Sequence, residues 1–308
     1  MLEYLGSLPG AIAQGLIWGL MAIGVYITFK ILDIADLTVD GSFVTGGAVT
    51  AMLVIAGVNV WLALLAGFLA GALAGLLTGL FHTVIGIHPI LAGILTQQIL
   101  WSVNLKIMGQ ANRNLSARNY HLILTQLEVP KAIAVLGGFA VVTVALLYWF
   151  FGTELGSGIR ATGCNEKMSR AQGINTGFNK VFGLALSNGF VALAGALVTQ
   201  YQGFADINMG KGAIVIGLAA IVIGEAIVSR FAVGMIPRLI GVLLGGVIYF
   251  IIYQTVIFLG LDADLLKMLS ALIVAVLLGV PYLKKTYFPS KSKNSDVESS
   301  EKEGETDA

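Results

Sequence analysis

The sequence predicts an all-α protein, a polytopic bundle of about nine transmembrane helices (roughly eight to ten). Hydrophobic residues make up 57% of the 308 residues and charged residues only 11%, whereas soluble domains carry roughly 25% charged residues. The charges are concentrated in short segments between long apolar runs. Several of these runs approach the ~20 residues that a helix needs to cross a bilayer, so we expect a multi-pass membrane protein.

Nine apolar runs are the candidate spans. In chain order they cover residues 10–31, 41–57, 60–81, 86–103, 131–151, 181–202, 212–229, 235–259 and 265–283. Lys and Arg are enriched in cytoplasmic loops, and most of them fall on one side when the 152–180 loop is placed inside. Alternation of the spans then predicts an N-terminus outside and a C-terminus inside.

The composition divides the chain into two parts. Residues 1–283 form the predicted transmembrane domain. Residues 284–308 are rich in Ser, Glu and Lys, a composition that cannot bury enough apolar surface to fold, and we expect a disordered cytoplasmic tail. The single cysteine, Cys164, excludes a disulfide framework. Neither a metal-ligand cluster nor a basic stripe for nucleic acid is visible, so we expect no bound metal and no nucleic-acid partner.

Within the 152–180 loop, residues 156–180 mix small residues, spaced cations and helix-capping residues. Asn165 is a predicted N-cap of a short helix, Glu166 would favour its positive end, and Gly173 would terminate it. A short surface helix of this kind can dock into a groove of another protein, although most charged loops are only solvated.

Three carboxylates, Asp33, Asp36 and Asp40, interrupt the apolar sequence between the first two spans. In one interpretation this segment is an interfacial turn in which Asp40 caps the second span. In the other it is a broken helix along a translocation path, because irregular backbone at membrane depth must face protein or a cavity.

Polar residues also occur within three of the predicted spans. They are Thr96, Gln97, Gln98, Ser102 and Asn104 in the fourth, Asn188, Gln200 and Gln202 in the sixth, and Tyr249, Tyr253 and Gln254 in the eighth. Amides and hydroxyls are unfavourable against lipid, so we expect them to point into the bundle. They would either bond between helices or line a path for solute.

Two further patterns concern packing and charge. Glycines recur every fourth residue at 67, 71, 75 and 79, and again at 241 and 245, which predicts close helix packing within or between chains. Glu225 lies inside the seventh span near Arg230. This position fits a structural charge better than a proton relay.

The residues of the long loop resemble a known family. The run Arg160-Ala-Thr-Gly-Cys-Asn165, followed by Ser169-Arg-Ala-Gln-Gly-Ile-Asn175, is similar to the coupling loop of ABC permeases for branched-chain amino acids and ribose, approximately R-A-x-G-x-N-x-x-x-A-R-x-x-G-I-N. Ser169 departs from it, since Ala is usual there. The resemblance implies that the coupling residues rest on ATPase subunits. These residues are Arg160, Gly163, Asn165, Arg170, Ala171, Gly173 and Asn175.

Two more segments carry the resemblance. Residues 34–42, Ile-Ala-Asp-Leu-Thr-Val-Asp-Gly-Ser, are similar to the I-D-L-S-V-G-S segment of sugar permeases, with Asp40 added. Residues 93–115 resemble the tryptophan/tyrosine subgroup of ABC permeases, from which Gln97, Gln98 and Lys106 depart. Together the resemblance covers residues 10–283.

The family resemblance implies a permease subunit of a bacterial ATP-driven importer, a multi-pass protein of the inner (cytoplasmic) membrane surrounded by lipid. The chain itself would be no enzyme and would bind no cofactor, because a separate cytoplasmic ATPase would use ATP and Mg²⁺. The other implied partners are an extracytoplasmic solute-binding lipoprotein and a second copy of the permease.

The expected solute is a small amino acid-like molecule, with aromatic amino acids as the first choice. Nucleosides or sugars, and an ion-coupled secondary transporter, remain alternatives. The predicted translocation path comprises Asp36, Thr38, Asp40, Ser42, Thr96, Gln97, Gln98, Asn188 and Tyr253.

Overall fold

The computed structural model describes residues 2–116, 120–228 and 234–259, with isolated residues at 268, 271–272, 275–276 and 279. These residues are mostly helical, as predicted. Most of the ninth predicted span, 265–283, and the whole of the predicted tail, 284–308, lie outside the described residues.

Ten α-helices and one short ribbon make up the described part of the chain. The helices are α1 Leu2–Tyr26 (continued by a π-helical turn, Ile27–Ile31), α2 Val39–Ile55, α3 Val60–Thr83, α4 Pro89–Met108, α5 Val129–Gly152, α6 Glu154–Cys164, α7 Glu166–Ala171, α8 Thr176–Gln202, α9 Ala213–Val228 and α10 Met235–Phe258. A 3₁₀ turn, Gln126–Glu128, precedes α5. The antiparallel ribbon joins β1 Asn112–Asn114 to β2 Phe204–Asp206.

Six of these helical segments are long and apolar enough to cross a membrane: Gly6–Ile31, Val60–Thr83, Pro89–Met108, Gln126–Gly152, Thr176–Gln202 and Met235–Phe258. The expectation of about nine full spans is therefore not confirmed in the described residues. The second and seventh predicted spans are the shorter helices α2 and α9, of 17 and 16 residues. At 1.5 Å per residue each covers only about 25 Å, less than the ~30 Å hydrocarbon core.

Helix α8 lies at the centre of the bundle and contacts α1, α2 and α3. The glycines of α3 lie on one stripe against it, as the four-residue repeat predicts. All four, Gly67, Gly71, Gly75 and Gly79, are buried, and a Cβ added at Gly79 would lie 2.8 Å from the Cα of Val181. The absence of side chains lets the two backbones approach closely.

Helices α9 and α10 form a second close pair. Gly241 and Gly245 of α10 face α9, where a Cβ at Gly241 would lie 2.6 Å from Val228. Glu225 of α9 forms an ion pair with Lys30, with 2.8 Å between the Lys30 Nζ and a carboxylate oxygen. The expected neighbour of Glu225, Arg230, lies outside the described residues. The sequence did not point to Lys30, which is 195 positions away along the chain.

The two ends of the bundle differ in structure. At one end, called here the α7 end, α6 and α7 lie beside the end of the π-helical turn, since a Cβ at Gly163 would collide with the carbonyl oxygen of Ile31. At the other, the ribbon end, β1 pairs with β2 and the backbone N–H of Leu115 donates to the carbonyl of Gly203 over 2.8 Å. The 152–180 loop and the 109–128 segment therefore lie at opposite ends.

The stripe on α3 generates a stability prediction. A Cβ at Gly75 would collide with the backbone of α8 at Leu184, so Gly75→Ala should overpack this helix pair, at a typical cost of about 1–3 kcal/mol. Thermal unfolding of the purified protein in detergent should show a lower Tm than the wild type.

The matched control is Gly137→Ala on α5, where an added Cβ meets no atom within 4 Å. There the higher helix propensity of alanine should leave the Tm unchanged or slightly raised. Equal Tm values for the two variants would contradict the close α3–α8 packing.

Candidate functional site

The 152–180 loop folds into two short helices whose ends follow the local capping signals. The Asn165 side chain accepts a hydrogen bond from the N–H of Met168 over 3.0 Å, which confirms Asn165 as the N-cap of α7. Gly173 ends this turn with a φ of +81°, a conformation that glycine adopts without strain. Asn175 caps α8 by accepting from the N–H of Phe178.

An ion cluster fixes α7 onto the start of α8. Glu166 accepts from Lys180 and from Arg170, each over 2.7 Å, and the Arg170 Nε donates to the Thr176 hydroxyl over 2.8 Å. The hydrogen bond from Lys180 is the main cause that lowers the pKa of Glu166 below its usual value of 4.5, with the positive charges of Lys180 and Arg170 adding to it. Glu166 therefore stays ionised at neutral pH and holds the two helices together.

The outer surface of α6 and α7 combines charge with two large apolar side chains, Leu155 and Met168. Arg160, Ala171 and Gly173 are exposed. Met168, at the centre of α7, is 58% exposed. Met168 was not among the predicted coupling residues. A flexible apolar side chain surrounded by polar groups suits a contact with another protein.

The inner surface of the same loop contacts the chain break between α1 and α2. Gly163 lies against the carbonyl of Ile31, and Gly183 of α8 lies against the side chain of Leu32. The amide of Asn179 donates to the Thr162 hydroxyl over 3.1 Å. A displacement of α6 would therefore act directly on residues 31–32.

Buried hydrogen bonds occupy the break itself. Asp36 is only 3% exposed, and it accepts from the Asn188 amide over 2.6 Å and from the backbone N–H of Thr38 over 2.9 Å. Asn188 also accepts from Ser42 over 2.6 Å, and the hydroxyls of Thr38 and Thr78 lie 2.7 Å apart. This network joins the break to α2, α3 and α8, and its members are enclosed by the bundle, unlike those of a turn at the membrane interface.

Asp40 does not cap its own helix, contrary to one of the two interpretations. The N-cap of α2 is Thr38. The two Asp40 carboxylate oxygens accept instead from the backbone N–H groups of Gly212 and Ile214, over 2.9 and 3.0 Å. These donors stand at the start of α9, where helix N–H groups lack intrahelical partners. Asp40 therefore caps α9 and ties it to α2.

A cavity of about 340 Å³, lined by both polar and apolar side chains, opens beside this contact. Its walls come from α2, α4 and the segment that leads into α9. The lining residues are Asp40, Gly41, Val44, Gln97, Gln98, Trp101, Asn104, Ile207 and Lys211. Since Gln97 and Gln98 lie near the middle of α4, the cavity lies well inside the helical layer.

Only some residues of the predicted path line the cavity. Asp40, Gln97 and Gln98 line the cavity. Thr96 is buried and donates to the carbonyl of Ala92 over 3.0 Å. Tyr253 lies on α10 beside Phe250, with ring centroids 5.7 Å apart, and is not among the cavity residues.

The expectation that every polar residue of the three spans points into the bundle is wrong for two members. Gln98 and Ser102 are exposed on the surface of the single chain, Gln98 at the cavity mouth. Trp101, Ile207 and Lys211 were not predicted to line a site. Trp101 follows Gln97 by four positions, one helical turn, which is a signal that the sequence did contain.

Comparison with known proteins places the chain among transport proteins. The family described as branched-chain amino acid transport system / permease component matches residues 8–280. A tyrosine transport system permease protein of Clostridioides difficile (strain R20291) is 34% identical over 274 residues, which cover 89% of this chain and 91% of the relative. The D-allose transport system permease protein AlsC of Escherichia coli (strain K12) is 28% identical over 233 residues, 74% of this chain and 69% of the relative.

A solved structure shares the fold. The structure described as PsaBC from Streptococcus pneumoniae in complex with Fab contains a chain that matches with a TM-score of 0.53 and 13% sequence identity. The match covers 97% of the present chain and all of the other. From its sequence, the chain belongs to the family of permease components of branched-chain amino acid transport systems.

Proposed function

We propose that this chain is the membrane-spanning permease subunit of a bacterial ATP-driven importer that takes up a small solute, an amino acid delivered by an external binding protein. Family membership over residues 8–280 is the observation that carries the proposal. The similarity to a tyrosine permease favours an aromatic amino acid as the solute. The chain is a transport subunit and not an enzyme, and a separate ATPase would use ATP and Mg²⁺.

The α7 end is the side on which an ATPase would dock. It carries exposed Arg160 and Lys167 beside the exposed apolar Met168, and cationic loops are retained on the cytoplasmic side of membrane proteins. In this orientation the N-terminus lies outside, and the ribbon end faces the extracytoplasmic solute-binding protein. The protein would lie in the cytoplasmic membrane, with residues 1–283 as the permease domain and 284–308 as a cytoplasmic tail.

Contacts in the structure support a route from the docking side to the cavity. α6 lies against Ile31 and Leu32 through Gly163. The next residues form the break, whose Asp36 is bonded to α8. One turn further, Asp40 holds the start of α9 and lines the cavity. Motion of α6 driven by nucleotide binding in the ATPase would thus reach α2 and α9 together.

A second copy of the chain would complete the path. The cavity opens at the surface of the single chain, where Gln98 and Lys211 are exposed. Amide and ammonium groups facing lipid are costly, so this mouth should face another protein surface or water. In a homodimer with a two-fold axis along the membrane normal, the mouth would face the second copy and a water-filled space between the two copies.

A sugar importer is the second candidate, favoured by the similarity to a D-allose permease. An ion-coupled secondary transporter has less support, because the carboxylate inside α9, Glu225, is neutralised by Lys30 over 2.8 Å. A proton relay would need a carboxylate that changes charge during transport.

Charge reversal in the ion cluster tests the coupling role. Arg170→Glu would place a second carboxylate beside Glu166 and remove the bond to Thr176, so α7 should lose its position. We expect loss of ATP-driven uptake in proteoliposomes and loss of co-purification with the ATPase, while membrane insertion stays normal. Gly173→Arg should act in the same direction, because the φ of +81° is strained for any other residue type.

Lys131→Glu is the matched control. It reverses the charge of one member of an exposed pair, Lys131–Glu128, which has a separation of 3.0 Å and lies at the N-terminal end of α5. Uptake should be nearly unchanged, since exposed pairs contribute little to stability. If Arg170→Glu retains both uptake and ATPase association, α7 is not the coupling element.

A further inference from the structure

The cavity between α2, α4 and the start of α9 contains both signs of charge without an internal ion pair. Asp40 and Lys211 both line it, yet among the described residues no ion pair within 4.0 Å joins Lys211 to any carboxylate. The Lys211 side chain is exposed. An ammonium group within the helical layer is costly unless it meets water or an anion, so the site is suited to a ligand that brings a negative charge.

Asn104 supplies an unused acceptor at the same cavity. It is fully buried, its amide nitrogen donates to the carbonyl of Gly41 over 3.4 Å, and its Oδ1 has no hydrogen-bond partner among the described residues. A carbonyl can only accept, so the contact with Gly41 fixes which way the amide points. The free Oδ1 of Asn104 is then available only to a donor.

Asp40 retains part of its capacity as an acceptor. Each of its oxygens accepts one backbone N–H from the start of α9. An ionised carboxylate offers about four lone-pair sites, so at least one remains even when the neighbouring N–H of Ala213 is counted. Asp40 and Asn104 together can receive a cationic donor group, while Lys211 receives an anionic one.

An apolar wall completes the cavity. Trp101 is 46% exposed on α4, and Val44 and Ile207 line the space beside it. An indole ring offers a face for stacking with another aromatic ring. The volume of about 340 Å³ lies at the lower end of the range for small-molecule sites, about 300–1,000 Å³.

We propose that this cavity is a binding site for a zwitterionic aromatic amino acid during its passage through the permease. Its ammonium group binds Asp40 and the Oδ1 of Asn104, its carboxylate binds Lys211, and its ring lies on Trp101. This inference rests on the proposed function and adds that the permease itself distinguishes the solute. A neutral sugar could use Asp40, Asn104 and Trp101, but it would leave the charge of Lys211 without a partner.

Saturation-transfer NMR on the full chain in lipid nanodiscs tests the site. The probes are L-tyrosine, tyramine, which lacks the carboxylate, 3-(4-hydroxyphenyl)propionate, which lacks the ammonium group, and D-allose. Lys211→Met should weaken L-tyrosine binding about tenfold, the loss expected for one charge-assisted hydrogen bond, and leave tyramine binding unchanged. Lys106→Met on α4 is the control, because Lys106 is exposed and does not line the cavity.

The Asn104→Leu variant tests binding of the ammonium group separately from binding of the carboxylate. It should weaken L-tyrosine and tyramine, which both carry an ammonium group, and spare 3-(4-hydroxyphenyl)propionate. Three results would overturn the inference: no L-tyrosine binding by the wild type, equal affinities in the Lys211→Met and Lys106→Met variants, or D-allose binding as tight as that of L-tyrosine.

A parallel measurement distinguishes failure of this inference from failure of the proposed function. Wild-type permease, assembled with its ATPase and binding protein in proteoliposomes, is assayed for ATP-dependent uptake of tyrosine, other amino acids and sugars. Uptake without any dependence of binding on Lys211 contradicts only the assignment of the cavity. Absence of ATP-dependent uptake of any amino acid or sugar contradicts the importer itself.

Discussion

The structure depends on how the backbone N–H groups find hydrogen-bond acceptors where two helices begin inside the bundle. The first N–H groups of a helix have no intrahelical partner, and leaving them unpaired away from water is costly. At the start of α9 the donors are Gly212 and Ile214, and the carboxylate of Asp40 accepts both. At the start of α2 the N–H of Thr38 donates to Asp36. These two carboxylates allow short helices, rather than full spans, to surround a cavity.

In the same segment, a few consecutive residues make contacts with three different helices. Residues 31–32 contact α6, Asp36 is bonded to α8, and Asp40 lines the cavity while it holds α9. Buried polar networks of this kind are rigid when every member has a partner. A segment of about ten residues is thus joined to α6, α8 and α9 by direct contacts.

The sequence was sufficient to predict those structural features that are determined by interactions between residues close together in the chain. The caps at Asn165 and Gly173 and the glycine stripe on α3 follow from neighbouring residues, and the structure shows them as expected. The cap that Asp40 forms on α9, the ion pair of Glu225 with Lys30 and the position of Lys211 at the cavity were not predicted, because each depends on residues remote in the chain. Asp40 bonds to a residue 172 positions away. Hydropathy likewise does not separate the shorter helices α2 and α9 from full spans, since most residues of both are apolar.

The central claim, that the cavity is a water-accessible part of the path coupled to ATP, is tested most directly by thiol accessibility. Gln98→Cys and Ile99→Cys are introduced into a Cys164→Ser chain, which removes the only native cysteine. Gln98 lines the cavity, whereas Ile99 is exposed outside it. A charged methanethiosulfonate reagent should modify position 98 at a rate that changes during ATP turnover, and should leave position 99 unmodified. Equal rates at the two positions, or a rate at 98 that ATP does not alter, would contradict the account.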